Sequence, residues 1–168
     1  MKSITINKND SGQRLDKFLS KYLKRLPVSM LYKYIRIKRI KVNGKRTEIS
    51  YKLCENDVVD LYINDEFFSD ENADPDFLFV PCDINIIYED ENIILIDKKP
   101  SLVVHEDDEN TIDTLINRVK HYLFNKGEYD PKKEQSFAPS LCNRIDRNTG
   151  GIVIVAKNAV SLRILNDK

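Results

Sequence analysis

Residues 142–158 read CNRIDRNTGGIVIVAKN. A polar loop runs into Gly151-Ile152-Val153-Ile154-Val155, a β-branched run of the kind found in buried strands. In the loop one carboxylate, Asp146, stands between Arg144 and Arg147, just ahead of Thr149-Gly150-Gly151. Nearby positive charge favours an ionised carboxylate. Such a group at a strand end can act as nucleophile or base. The paired glycines permit close approach of backbone or substrate. The same spacing fits a plain Arg–Asp surface pair ahead of a strand, and spacing alone does not separate the two.

Outward from this stretch, Ile86-Ile87-Tyr88 and Ile93–Ile96 flank Glu89-Asp90-Glu91-Asn92 and read as a β-hairpin. Residues 111–124 carry Ile112, Leu115, Ile116, Val119 and Leu123 on one helical face. Residues 125–140 read as a polar loop with Gly127, Pro131 and Pro139, and a last helix starts near 158. His105 precedes an acidic run, 106–109, that reads as a solvated loop. His121 reads as a surface residue. Lys98 and Lys99 are either nucleic-acid contacts or ordinary loop cations. Cys142 reads as a small buried hydrophobe.

The front of the chain has a different character. Residues 13–26 place Leu15, Phe18, Leu19, Tyr22, Leu23 and Leu26 at helical spacing, and Pro27 stops the helix. Residues 29–38 form a second helix with Ser29 as N-cap, Leu31 and Ile35 inward, and Lys33 and Arg36 outward. Ile40-Lys41-Val42 and 58–63 read as strands, with Asn43-Gly44 as a tight turn. Net charge is zero over the 168 residues, yet residues 1–63 carry +9 and residues 64–168 carry −9. That split points to two units, one of them built to meet a polyanion. Segment 64–76, NDEFFSDENADPD, has six acidic residues and no basic one. It reads as a linker whose Phe67 and Phe68 can dock on one of the domains.

Exclusions follow from composition. The three cysteines are widely spaced and there are two histidines, so neither a disulfide framework nor a zinc site is expected. No apolar run approaches the ~20 residues of a membrane span. No leader is visible in MKSITINKND, and a cytoplasmic chain is expected.

The segment RLDKFLSKYLKRLPVSMLYKYIRIKRIKVNGK, with Arg14-Leu15-Asp16 at its start and Lys41-Val42-Asn43-Gly44 at its end, resembles the ribosomal protein S-four-like (alpha-L) RNA-binding domain. This resemblance implies contact with structured RNA, read by shape and backbone, through Arg14, Ser29, Tyr32, Lys33, Arg36, Lys38, Arg39, Lys41, Asn43 and Lys45. Among the aromatic residues Tyr32 is the stacking candidate, Tyr22 belongs to the core, and Asp16 pairs with nearby cations. Asn143-Arg144-Ile145-Asp146-Arg147-Asn148-Thr149-Gly150-Gly151 resembles the central motif of the RluA/RluD-type pseudouridine synthases, H-R-L-D-x-x-T-S-G, with Asn143 in place of His and Gly150 in place of Ser. Asp97-Lys98-Lys99-Pro100 and Val103-Val104-His105 fit that family's opening strands.

Together these imply an α+β chain. Residues 1–63 form the RNA-binding domain, 64–80 an acidic linker, and 81–168 part of a mixed or antiparallel-sheet catalytic domain that is incomplete at Lys168. An apolar edge at 151–155 is then expected to lack a partner strand. The implied reaction is isomerisation of a uridine in ribosomal or transfer RNA by a monomer without metal or organic cofactor. Asp146 is the catalytic carboxylate, Arg144 holds the flipped base or fills its place, and Asn143, Arg147, Thr149 and Gly150 shape the loop. The alternative is a non-catalytic RNA-binding protein or a ribosome-docking factor with the same module.

Overall fold

The computed structural model describes residues 1–68, 74–105 and 109–167. The chain divides into two compact units, Met1–Asn72 and Ala73–Lys168. Part of the acidic run at 106–109 lies outside the described residues.

In the first unit, helices α1 (Leu15–Tyr22) and α2 (Val28–Arg36) cover one face of a three-stranded antiparallel sheet. The strands are β1 (Lys2–Thr5), β2 (Ile40–Val42) and β3 (Val58–Leu61), in the order β1-β3-β2. Leu15, Phe18 and Leu19 of α1 and Leu31 and Ile35 of α2 meet Ile4, Ile40, Val42, Val59 and Leu61 in one buried cluster. Each such side chain contributes about 1.5–3 kcal/mol when withdrawn from water. Ser29 does not cap α2. Pro27 holds the capping position with an extended backbone, and Ser29 lies inside the first turn with no capping hydrogen bond. Strand β1 has no counterpart in the sequence reading. It is four residues long and gains its ladder from β3, more than fifty residues away.

The turn between β2 and β3 is fixed by side chains. Asn43 and Gly44 both take left-handed backbone, φ 53° and 74°, which Asn and Gly tolerate best. The Asn43 amide donates to Asp57 Oδ1 and its carbonyl oxygen accepts from the Val58 N–H, each at 2.9 Å. Asp57 also accepts from Tyr51 Oη and the Cys54 N–H. Burial works to raise the Asp57 pKa, but the donors from Cys54, Asn43 and Tyr51 outweigh it and hold the carboxyl below its ordinary value. Asp57→Ala is expected to cost about 2–3 kcal/mol by stranding these donors. Because the folded carboxyl is the stronger acid, its stabilisation is complete above the unfolded value near 3.8 and is lost as pH falls through the folded value. Urea midpoints of wild type and Asp57→Ala should therefore converge in acid; a constant gap down to the acid limit would contradict this.

In the second unit a four-stranded antiparallel sheet has the order β4-β5-β7-β6. The strands are β4 (Ile86–Glu89), β5 (Ile93–Lys98), β6 (Ser140–Leu141) and β7 (Gly151–Ala156). Ile94 and Ile96 of β5 and Val153 and Val155 of β7 form a buried face, packed with Leu115, Val119 and Leu123 of α3 (Leu115–Lys126). Helix α3 begins at Leu115, not 111, because the Thr114 hydroxyl caps it by accepting the Asn117 N–H. Ile112 is left outside the helix and exposed. Gly127, at φ 81°, ends α3. Helix α4 (Ala159–Asn166) follows β7, capped by Asn158.

The expected bare edge at 151–155 is covered by strand only at its end: β6 pairs with Val155 and Ala156, its Ser140 coming from the stretch expected to be loop, and does not reach Gly151–Ile154. Segment 64–80 is not free linker throughout its described residues. Phe67 and Phe68 pack on the first unit's core, and Phe77 is buried in the second's. Among the described residues no helix is long and apolar enough to cross a membrane.

Candidate functional site

The Asp146 loop is anchored at both ends by main-chain geometry. On the entry side β6 is two residues long, and the ladder is continued first by the Cys142 N–H to Ile154 O at 2.8 Å. The side chain of Asn143 then takes over: its Oδ1 accepts the Ile154 N–H at 2.8 Å and its Nδ2 donates to Ile152 O at 3.1 Å. The carboxamide thus stands in for a further residue of strand. Ile145 packs on the second unit's core and fastens the middle of the loop. A turn follows in which the Thr149 N–H donates to Asp146 O at 3.0 Å. On the exit side Gly150 sits so close to the 98–100 segment that a Cβ there would lie 3.2 Å from Pro100 Cδ and 3.3 Å from Lys98 O. A larger residue would push the two loops apart.

Lys98 ties these loops together. It follows Ile94 and Ile96 on the inward side of β5 and is 1% exposed. Its Nζ donates to three carbonyls, Leu102 O at 2.9 Å and Lys99 O and Arg147 O at 3.1 Å. Arg147 O also accepts the Ser101 N–H at 2.7 Å, and Ser101 adopts φ 78°, a left-handed conformation. The two loops therefore close on one carbonyl, that of the residue after Asp146. Burial pushes the Lys98 ammonium below its ordinary value. Lys98 is thus neither a free loop cation nor a nucleic-acid contact; Lys99 is the exposed one.

The Asp146 side chain is exposed, and among the described residues its carboxylate has no hydrogen bond or ion pair. Arg144 and Arg147 are exposed too and do not pair with it, contrary to the expected Arg–Asp pairing. His105 is half-buried; burial first, then the positive charges of Arg144 and Lys120, lower its pKa. The imidazole beside Arg144 is thus neutral at pH 7. His121 is half-buried, and its Nδ1 bonds to Val80 O at 2.7 Å. A cleft of about 840 Å³ lies along the Lys98 clasp, lined in part by Asp97, Lys99, Ser101, Arg118 and Arg147. Asp146 and Arg144 are not among its walls. Among the described residues no cluster of metal-ligating side chains occurs.

In the first unit the residues expected at a nucleic-acid surface divide into two groups. Lys33 and Arg36 project from the outer face of α2, Lys38 and Arg39 are exposed between α2 and β2, and Lys45 is exposed beside the Asn43-Gly44 turn. Ser29 is exposed at the other end of α2. The remainder have partners within the unit, Arg14 and Asn43 while remaining exposed. Arg14 forms a paired contact with buried Asp16, at 3.1 and 3.2 Å. Asn43 is spent on the turn, and Tyr32 is half-buried against the core. Two residues were missed. Tyr62 is exposed, with Lys41 Nζ 5.5 Å from its ring, and Arg46 is exposed beyond Lys45. Strand alternation through Val58 and Asp60 was the available signal for Tyr62.

Residues 92–168 match the family model described as RNA pseudouridylate synthase, and residues 13–59 match that of the S4 domain. An uncharacterized RNA pseudouridine synthase of Mycoplasma capricolum is 40% identical, over 99% of this chain and 54% of that protein. Ribosomal large subunit pseudouridine synthase D of Escherichia coli O157:H7 is 32% identical, over 91% of this chain and 43% of its own length. Ribosomal large subunit pseudouridine synthase C of Escherichia coli K12 is 29% identical, over 100% and 50%. The chain spans about half the length of the curated relatives it matches.

Proposed function

We propose that this chain, whose residues 92–168 match the RNA pseudouridylate synthase family and residues 13–59 the S4 domain, serves the isomerisation of uridine to pseudouridine in structured RNA. The observation that carries the reading is the Asp146 loop: an open carboxylate on a main-chain frame fixed by Lys98, Ser101 and Thr149. The reaction breaks the bond between uracil and ribose, turns the base and rejoins it through a ring carbon. Atoms are conserved and there is no net oxidation. Asp146 is the group that acts on the uridine. Arg144, exposed two residues before it, holds the turned-out nucleotide or fills its place in the stack, which costs a few kcal/mol to open. Ribosomal RNA is the substrate class favoured by the names of the relatives, with transfer RNA the other arm of the test. The protein acts as a monomer in the cytoplasm.

The test is pseudouridine formation on bulk ribosomal and transfer RNA, with Asp146→Asn as control. A second reading, an RNA-binding module without activity of its own, is favoured by one observation: neither Asp146 nor Arg144 lines the cleft along the Lys98 clasp. It would be supported by salt-sensitive RNA binding without any product.

RNA binding by the first unit gives its own prediction. Arg36 is exposed on the outer face of α2 and neutralises about one phosphate. Arg36→Ala should weaken RNA affinity and lower the slope of log affinity against log salt by about 0.7–0.9. Binding indifferent to both salt and Arg36 would remove the RNA-binding role.

A further inference from the structure

The last turn of α2 and the segment after the Asn43-Gly44 turn border a cleft of about 540 Å³, of whose walls only Arg36 is an expected contact. Its walls are Ile35, Arg36, Arg46, Thr47, Glu48 and Ile49. The size falls within the range of about 300–1,000 Å³ typical of pockets that take a small molecule. The walls are held in place by backbone: Ile49 O accepts the Asp16 N–H at 3.2 Å and Tyr51 O accepts the Leu15 N–H at 2.7 Å, which ties the segment to the start of α1. The lining combines three chemistries. Half-buried Ile49 offers an apolar surface, backed by buried Ile35. Arg36 and Arg46 offer two guanidiniums, which suit phosphate and stack on bases. Glu48 offers one carboxylate, which can only accept when ionised.

A plain phosphate-backbone site would have no use for Ile49 and would be opposed by Glu48. An unstacked nucleotide uses all three. RNA recognition by sequence turns on such splayed-out bases, placed on flat or apolar side chains and read on their Watson–Crick edge. Guanine alone presents two adjacent donors there, N1–H and the N2 amino group, which match the two oxygens of a carboxylate. Adenine and cytosine present an amino donor beside a bare acceptor, and uracil one imino donor between two carbonyls.

Resting on the RNA-directed function above, we propose that this cleft binds a single unpaired guanosine of the substrate RNA. Arg36 and Arg46 hold its phosphates, Ile49 receives the ring, and Glu48 accepts from its Watson–Crick edge. The site lies in the RNA-binding unit, so it selects which RNA is held and takes no part in the chemistry at Asp146.

The experiment measures fluorescence anisotropy of the 168-residue chain with four labelled RNA hairpins that are identical except for one bulged nucleotide, G, A, C or U. A fifth hairpin is fully paired. The bulged-G hairpin is expected to bind about five- to a hundredfold tighter than the other four, the discrimination of one bidentate base contact. Glu48→Gln should erase that preference while retaining general affinity. Arg46→Ala should weaken all five and lower the salt slope by about 0.7–0.9. Equal affinity for all four bulges in the wild type overturns the proposal, as does wild-type behaviour of both variants. These results leave the broader reading standing so long as binding remains salt-dependent, whereas absence of salt-dependent binding to any of the five overturns both.

Discussion

Asp146→Asn is expected to lower pseudouridine formation by about 10²–10⁴-fold or more, the range that one positioned acid–base group supplies. RNA affinity should be retained or rise slightly. The asymmetry follows from where the loop gets its shape. The contacts that frame it run to the carbonyls of residues 146 and 147 and from the side chain of Asn143 to β7. None of them uses the Asp146 carboxylate. Asparagine has nearly the same shape and removes only the charge, so the variant keeps the wild-type fold. Deleting one exposed negative charge near a polyanion reduces repulsion, hence the expected sign of the change in binding. The measurement is product formed per enzyme on ribosomal and transfer RNA, set beside anisotropy at matched salt. Undiminished turnover in Asp146→Asn would take the catalytic role away from this residue. Loss of binding together with turnover would make its part structural.

Much of this arrangement was legible in the residues themselves. The β-branched run at 151–155 and the hairpin around Glu89–Asn92 are strong local signals, and both occur as strands. The apolar spacing of Leu15, Phe18 and Leu19 and of Leu31 and Ile35 marks the inner faces of α1 and α2. What escaped the sequence was decided by partners far away in the chain. β1 is a strand because β3 supplies its ladder. Ser29 looks like a cap, but the chain enters α2 through Pro27, which shifts the helix start by a residue. Asn143, read as a loop residue, completes a sheet whose β6 is too short. Arg14 and Asp16 were read separately, one as a nucleic-acid contact and one as a partner for cations; they are each other's partner.

Lys98 is the extreme case, since a lysine in a sequence is ordinarily read as a solvated charge. Lys98→Met is expected to lower stability at pH 7 by about 1–3 kcal/mol and to cut pseudouridine formation without a matching loss of RNA affinity. Two effects oppose each other. Methionine fills the space without a buried charge, which favours the variant. Against it, three carbonyls lose their donor, and a buried carbonyl left unsatisfied costs about 1–3 kcal/mol. The net loss therefore rests on the stranded carbonyls and not on the charge, which burial disfavours. It falls unevenly, because Arg147 O and the 99–102 segment are released together and Asp146 shares their frame. A second readout separates this role from bulk packing. Burial lowers the Lys98 pKa below 10.5, so in the window between the folded value and 10.5 the unfolded chain binds more protons than the folded one. Stability contributed by this residue therefore rises with pH through that window. The gap in urea midpoint between wild type and Lys98→Met should be smallest near neutral pH and widen toward pH 10.5. A gap that narrows over this range, or a variant with wild-type turnover, would show that the buried ammonium does not set the Asp146 loop.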